Sequence, residues 1–211
     1  MLKTISKIAA VLALSSAGYA SAFTISMVAD NDFAIFGGTS TSINNVLYQN
    51  NKVWMDQIPA LSTLTFDLAP GDTTFYVLAM GGSGQEDISG KVNGVNIASI
   101  PVFMSGDVRS FLSGYNLGTV TNGTYNAVLA DVQAAFAQTT WGPATPNSTQ
   151  TVISAAGFGS GYRFDDSTAH LFKFGAASVN VPTTNVPEPA GIALFGLGLL
   201  GLVAARRRKT A

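Results

Sequence analysis

From Phe23 onward the chain reads as short apolar runs broken by Gly, Pro, Asn and Asp. Runs of that length, rich in Val, Ile, Phe, Tyr and Thr, predict β-strands. Strands are expected over Phe23 to Val28, Asp32 to Phe36, Thr63 to Leu68, Thr73 to Met80, Gln150 to Ala155 and His170 to Val181. Ala69-Pro70-Gly71-Asp72 separates the third run from the fourth, and Pro-Gly is a turn pair because Pro presets φ and Gly accepts a positive one. Val92-Asn93-Gly94-Val95 is a hairpin signal. One stretch has a different period. Between Tyr125 and Gln138, Val128, Leu129, Val132, Ala135 and Phe136 fall on one helical face. Thr124 or Asn122 is the expected cap, Trp141-Gly142-Pro143 the expected stop, and Gly142 to Thr151 a surface loop. The pattern predicts an all-β chain: a single antiparallel β-sandwich, with one helix packed across its edge or end.

The two termini follow other rules. Lys3 and Lys7 precede the apolar stretch Ile8 to Leu14, and Ala20-Ser21-Ala22 has the small-x-small form of a cleavage site. That is a signal peptide, with Ala20 and Ala22 at the cut and Phe23 as the mature N-terminus. At the other end, Pro187-Glu188-Pro189 precedes the uncharged run Ala190 to Ala205, which Arg206, Arg207, Arg208 and Lys209 close. As a helix that run reaches about 24 Å, slightly less than a hydrocarbon core of roughly 30 Å. Snorkelling arginines and local thinning cover the difference. The basic cluster favours a cytoplasmic C-terminus. Pro187 and Pro189 hold the preceding backbone extended, a form that a protease can bind.

This order of elements resembles the PEP-CTERM sorting signal of bacterial surface proteins. The resemblance implies a partner, an exosortase-type membrane protease of Gram-negative bacteria. It also implies cutting at or near Pro187 to Pro189, then delivery of an inner-membrane-anchored precursor to the cell surface or extracellular matrix. A plain, uncleaved anchor is the alternative. The expected organisation is a signal peptide and helix over 1–22, an ectodomain over 23–180, a linker over 181–186 and the sorting signal over 187–211. A transmembrane helix is expected at 190–205.

Removing the ends changes the charge. The whole chain is near neutral at −1, yet residues 23–187 hold eleven acidic and five basic side chains. An acidic domain lacks the basic footprint that nucleic acid needs. The chain has no cysteine, which excludes disulfides, thiolate metal sites and a cysteine nucleophile.

Few residues suggest chemistry. Asp30-Asn31-Asp32 reads as an Asx-rich turn between strands, or, through Asp30 and Asp32, as a source of hard oxygen ligands for Ca²⁺, to which Glu86-Asp87 and Asp165-Asp166 add ligands only if the fold brings them near. Trp54, flanked by Lys52 and Asp56, is the leading candidate for stacking on a sugar. Trp141, Tyr48, Tyr115, Tyr125 and Tyr162 are weaker ones, since such aromatics usually serve the core. His170, the lone histidine, alternates with Leu171 as a strand residue would. Gly157-Phe158-Gly159-Ser160-Gly161 has the wrong spacing for a nucleophile elbow. No motif selects a catalytic carboxylate pair.

Val28 to Phe36, Trp54, Thr65 to Asp72 and Tyr76 to Gly82 occur in an order that resembles the galactose-binding-like jelly roll. Gly37-Gly38 stands where that family usually has Asn-Gly. The resemblance implies a jelly-roll-like sandwich. The expected function is a non-catalytic adhesion, matrix or glycan-binding role, with extracellular polysaccharide as a candidate partner. The alternatives are a secreted glycan-active enzyme and an uncleaved, membrane-anchored periplasmic domain.

Overall fold

The computed structural model describes residues 21–147, apart from 51, 62, 83 and 85, and residues 157–175. They lie in one compact unit, Ala20–Pro182. The expected signal helix, the strand at Gln150 to Ala155 and the transmembrane helix lie outside them. Two antiparallel sheets with few helices make up the described chain.

The first sheet has the order β10 (Pro146–Asn147), β11 (Gly161–Phe164), β6 (Glu86–Val92), β1 (Ser21–Ala29), β4 (Leu64–Leu68), with β7 (Val95–Asn96) also on β6. The second runs β3 (Ser42–Gln49), β2 (Asp32–Thr39), β5 (Thr74–Met80), β12 (Ala169–Gly175), β8 (Val102–Ser105), β9 (Trp141–Pro143). The chain changes sheet from β1 to β2, from β3 to β4, from β4 to β5 and again from β5 to β6, while the consecutive pairs β2–β3 and β6–β7 each stay within one sheet.

Both turn signals hold. Asp72 N donates to Ala69 O at 2.9 Å, with Gly71 at φ 91°. Asn93 and Gly94 both have positive φ, as the tight hairpin joining β6 to β7 requires. Asn93 Oδ1 also accepts from Thr24 N at 2.8 Å, tying that hairpin to β1.

Apolar packing explains the layering. Phe23, Ile25 and Met27 of β1 meet Phe33 and Ile35 of β2, Phe75 and Val77 of β5, and Phe172 and Phe174 of β12. Three rings stack through this interior: Phe23 on Phe75 at 4.8 Å, and Phe75 on Phe174 at 4.7 Å. The opposite face of the second sheet is also buried. Ala34 and Phe36, Tyr76 and Leu78, and Leu171 pack there against Val120, Val132 and Ala135. β5 is therefore covered on both faces, which is why Thr73 to Met80 reads as a continuous apolar run and not as an alternation.

The structure corrects the expected number of helices. Among the described residues three α-helices occur, not one: α1 (Trp54–Gln57), α2 (Leu117–Thr121) and α3 (Leu129–Gln138). α3 lies on the outer face of the second sheet at its β3 edge, with Gln133 Nε2 donating to Ile43 O at 2.8 Å and Phe136 packed edge-on to Tyr76 at 5.4 Å. It starts four residues later than its periodicity suggests. Ala127 N donates to Gln49 Oε1 at 2.9 Å, and Gln49 Nε2 donates to Tyr125 O at 3.3 Å, holding that segment extended beside β3. Neither expected cap is used: Asn122 ends α2, Thr124 Oγ1 donates to Thr119 O, and Val128 begins α3 without a side-chain cap. Thr139 ends the helix, and Trp141–Pro143 pairs with β8 as a strand instead of serving as the stop.

Candidate functional site

Four connections meet at one end of the sandwich. They are the β1–β2 turn, the segment from β5 to β6, the loop after β8 and the β11–β12 turn. Backbone bonds join them: Asp30 N donates to Asp87 O at 2.9 Å, Asn31 N to Met80 O at 2.9 Å, Gly81 N to Thr168 O at 2.8 Å, and Val108 N to Ala169 O at 2.8 Å. Ser167 Oγ adds a bond to Gly82 O at 2.7 Å.

The approach is close because glycine is used. A Cβ on Gly81 would sit 2.7 Å from Glu86 Cγ, and one on Gly82 would sit 2.0 Å from the Asn31 amide. With its amide oriented to suit its neighbours, Asn31 donates to Asp30 Oδ1 and accepts from Gly82 N, each at 2.9 Å. Gln57 of α1 secures the other side of the turn. Its side chain accepts from Ala29 N at 2.9 Å and donates to Asn31 O and to Lys52 O.

These contacts place acids together in a dry setting. Glu86 and Asp87, at the start of β6, are 0% and 1% exposed, and Asp30 is half-buried beside them. No group reaches the four carboxyl oxygens of Glu86 and Asp87 in full hydrogen-bond geometry, although the Gly82 backbone N–H stands near Glu86. Burial pushes the Glu86 carboxyl up to about 8, with Asp30, Asp166 and Asp87 adding repulsion and the Gly82 N–H pulling the other way. Asp87 rises to about 7 by burial and the charge of Asp30, against the pull of Arg163. Asp30 rises to about 6 by burial alone.

Asp32 has a separate neighbourhood. It is fully buried in β2, its Oδ1 accepts from Phe33 N at 3.1 Å, and its Oδ2 has no partner. Burial raises it to about 8, and the aromatic group that feels its charge is Tyr48. The sequence pair Asp30 and Asp32 thus divides: Asp30 lies near enough to Glu86 and Asp87, the acidic pair expected to join it only if the fold brought them near, for its charge to raise both. Among the described residues, no three His, Asp or Glu side chains stand already arranged as a metal's ligand set.

The other candidates are placed as follows. Trp54 is the first residue of α1, with Lys52 and Asp56 exposed beside it. Trp141 packs on Phe136 at 5.7 Å, with the Lys173 ammonium over its ring. Tyr48 leans on Phe33 and Phe66, and Tyr115 meets Tyr125 edge-on. Tyr162 is buried and donates to Ile97 O at 3.0 Å and Ile100 O at 2.9 Å. His170 is buried with Nδ1 against Ser105 O and Nε2 against Thr168 Oγ1. The clefts beside Tyr48 (about 40 Å³) and beside Phe103 (about 340 Å³) carry no carboxylate. The expected cut after Ala22 falls inside β1, just before the Phe23–Phe66 pair.

The terminal motif is decided by comparison. Residues 185–209 match the PEP-CTERM protein-sorting motif. The chain therefore carries an exosortase sorting signal, which implies export, a membrane-anchored precursor and delivery to the cell surface. Pro187, Glu188, Pro189 and the basic cluster fall within the match, outside the described residues. Among the described residues no helix is long and apolar enough to cross a membrane. No curated protein and no solved structure matches the chain, so the galactose-binding-like resemblance gains no support.

Proposed function

We propose that this chain is a non-catalytic surface or matrix protein of a Gram-negative bacterium, whose jelly-roll-like sandwich serves adhesion, matrix assembly or glycan binding. The sorting motif carries the reading, because it directs the folded domain to the place where polysaccharide and neighbouring cells are met. An exosortase cuts the tail at or near Pro187 to Pro189, after the N-terminal signal is removed behind Ala22.

Burial supports a non-catalytic role. A glycan-active enzyme needs two carboxyls flanking a scissile bond in an open cleft. The perturbed, neighbouring acids here are Glu86 and Asp87, and they are almost completely enclosed. The remaining histidine is engaged at both ring nitrogens.

The test is binding of the exported protein to the producing organism's exopolysaccharide and to a glycan panel, alongside a turnover assay on the same glycans. Saturable binding without turnover is expected. Turnover that is lost on substituting an acid while the domain stays folded contradicts the reading. Absence of binding by folded protein removes glycan recognition and leaves matrix structure or a protein partner.

A further inference from the structure

At the acid-rich end of the sandwich, one backbone donor stands between two acceptors. The Gly82 N–H donates to the Asn31 side-chain oxygen at 2.9 Å, and the same N–H stands near the Glu86 carboxyl without a bond of full geometry to it. All three residues are buried, Asn31 at 7% and Glu86 at 0% exposure. Packing holds Glu86 in place: a Cβ on Gly81 would lie 2.7 Å from its Cγ and 3.2 Å from Phe164 Cε2. Which acceptor holds the N–H then depends on charge. A neutral carboxyl competes poorly with an amide oxygen already bonded. A carboxylate competes well, because hydrogen bonds to an ionised acceptor are roughly twice as strong as neutral ones. An enclosed carboxylate also carries a large cost until a donor reaches it.

We infer that Glu86 is a proton-controlled latch on the β1–β2 turn. With Glu86 neutral, the Gly82 N–H bonds Asn31, whose amide nitrogen donates to Asp30 Oδ1 at 2.9 Å, and the turn is closed. When Glu86 gives its proton to solvent, its carboxylate takes the Gly82 N–H. The Asn31 oxygen is then left bare in a buried place, and the turn loosens to let water in. The bond from Asn31 N to Met80 O, 2.9 Å long, is the next to open. Gln57 confines the movement, since it still holds Ala29 N and Asn31 O.

The surroundings decide where the latch trips. Burial most of all, then Asp30 from the β1–β2 turn, Asp166 from the β11–β12 turn and Asp87 beside it on β6, oppose the ionisation of Glu86 and keep it protonated to about pH 8. Arg163 of β11 acts on Asp87. Tyr115 donates to Gly81 O at 2.8 Å, and burial holds its phenol neutral, with Asp107, Glu86 and Arg109 acting on it as charges. His170 of β12 lies behind the Phe164 ring. Asp30 and Asp87, at about 6 and 7, ionise before Glu86, so the latch is the last group of the three to change. It depends neither on sorting nor on glycan binding.

The experiment is solution NMR of the isotope-labelled full chain in detergent from about pH 6 to 9.5, with Glu86→Gln alongside. As Glu86 ionises, the Gly82 amide proton is expected to move downfield, the sign of a stronger bond. The exchange protection of the Asn31 N–H, corrected for intrinsic exchange, should fall about tenfold further than that of Val77 at the centre of β5. Glu86→Gln, locked neutral, should show neither change. The wild-type titration decides the matter even if the variant does not fold. A Gly82 proton that stays level or moves upfield overturns the latch, and so does a downfield shift without the excess loss at Asn31. A Gly82 shift in folded Glu86→Gln as large as in the wild type also overturns it, because another group then controls the donor.

Discussion

Gln57→Ala is expected to be among the most damaging single substitutions at the acid end of the domain. Gln57 is 4% exposed and sits in a four-residue helix that cannot be stable by itself. Its amide completes three backbone groups: Ala29 N, Asn31 O and Lys52 O. Lys52 is exposed, so water can replace the bond to its carbonyl. Ala29 is fully buried and Asn31 is 7% exposed, so an orphaned donor and an orphaned acceptor remain. At about 1–3 kcal/mol for each unsatisfied group, with partial relaxation, the loss is about 2–4 kcal/mol. For a chain of this size that lowers the melting temperature by roughly 5–15 °C. Urea unfolding followed by circular dichroism, at fixed pH and in chelator, gives the value directly. Gln57→Glu should fail partially, because it keeps the acceptor for Ala29 N and loses both donors. A loss below about 0.5 kcal/mol for Gln57→Ala would refute the claim that this side chain pins the β1–β2 turn.

Other outcomes follow from the same geometry. In chelator, stability should fall as pH rises from about 4 to 8. Asp30, Asp87, Glu86 and Asp32 have folded values raised to about 6, 7, 8 and 8, so the folded state keeps protons that the unfolded chain has already lost. Asp166 adds to this, Arg163 opposes it, and stability increasing over that range in a melting series would contradict the burial argument. Gly90→Ala should cost about 1–3 kcal/mol, since its Cβ would lie 2.4 Å from Ser26 O and 2.9 Å from Met27 Cα across the β1–β6 pair. A neutral result in urea unfolding would mean that the two strands are spaced more widely. Tyr162→Phe should cost about 1 kcal/mol by the same assay, through the bonds to Ile97 O and Ile100 O.

The parts legible in the sequence were those specified locally. Asn93-Gly94 and Pro70-Gly71 mark their turns because their backbone conformations demand those residues. The run ending at Met80 announces a strand because both of its faces are buried. β3 and β6 were not foreseen. β3 is an outer strand with two asparagines and mixed exposure, and β6 opens with Glu86-Asp87, two acids that give no apolar strand pattern. α1 was missed because a four-residue helix has no period to detect. Its justification is tertiary: the three bonds of Gln57. The candidate site was half visible. Asp30 stood out beside Asp32, but its neighbours lie more than fifty residues away and meet it only through the Asp30–Asp87 and Asn31–Met80 backbone bonds.

The central claim is that this domain is delivered by a cleaved sorting signal. Intact-mass and C-terminal peptide analysis of the protein recovered from the cell surface tests it most directly. The account predicts a chain that begins at Phe23 and ends at or near Pro187 to Pro189, with the apolar run and the basic cluster gone. Pro187→Ala/Pro189→Ala should leave the precursor uncut in the membrane fraction. Surface protein that still carries Arg206 to Lys209 would contradict the account and establish the uncleaved anchor in its place.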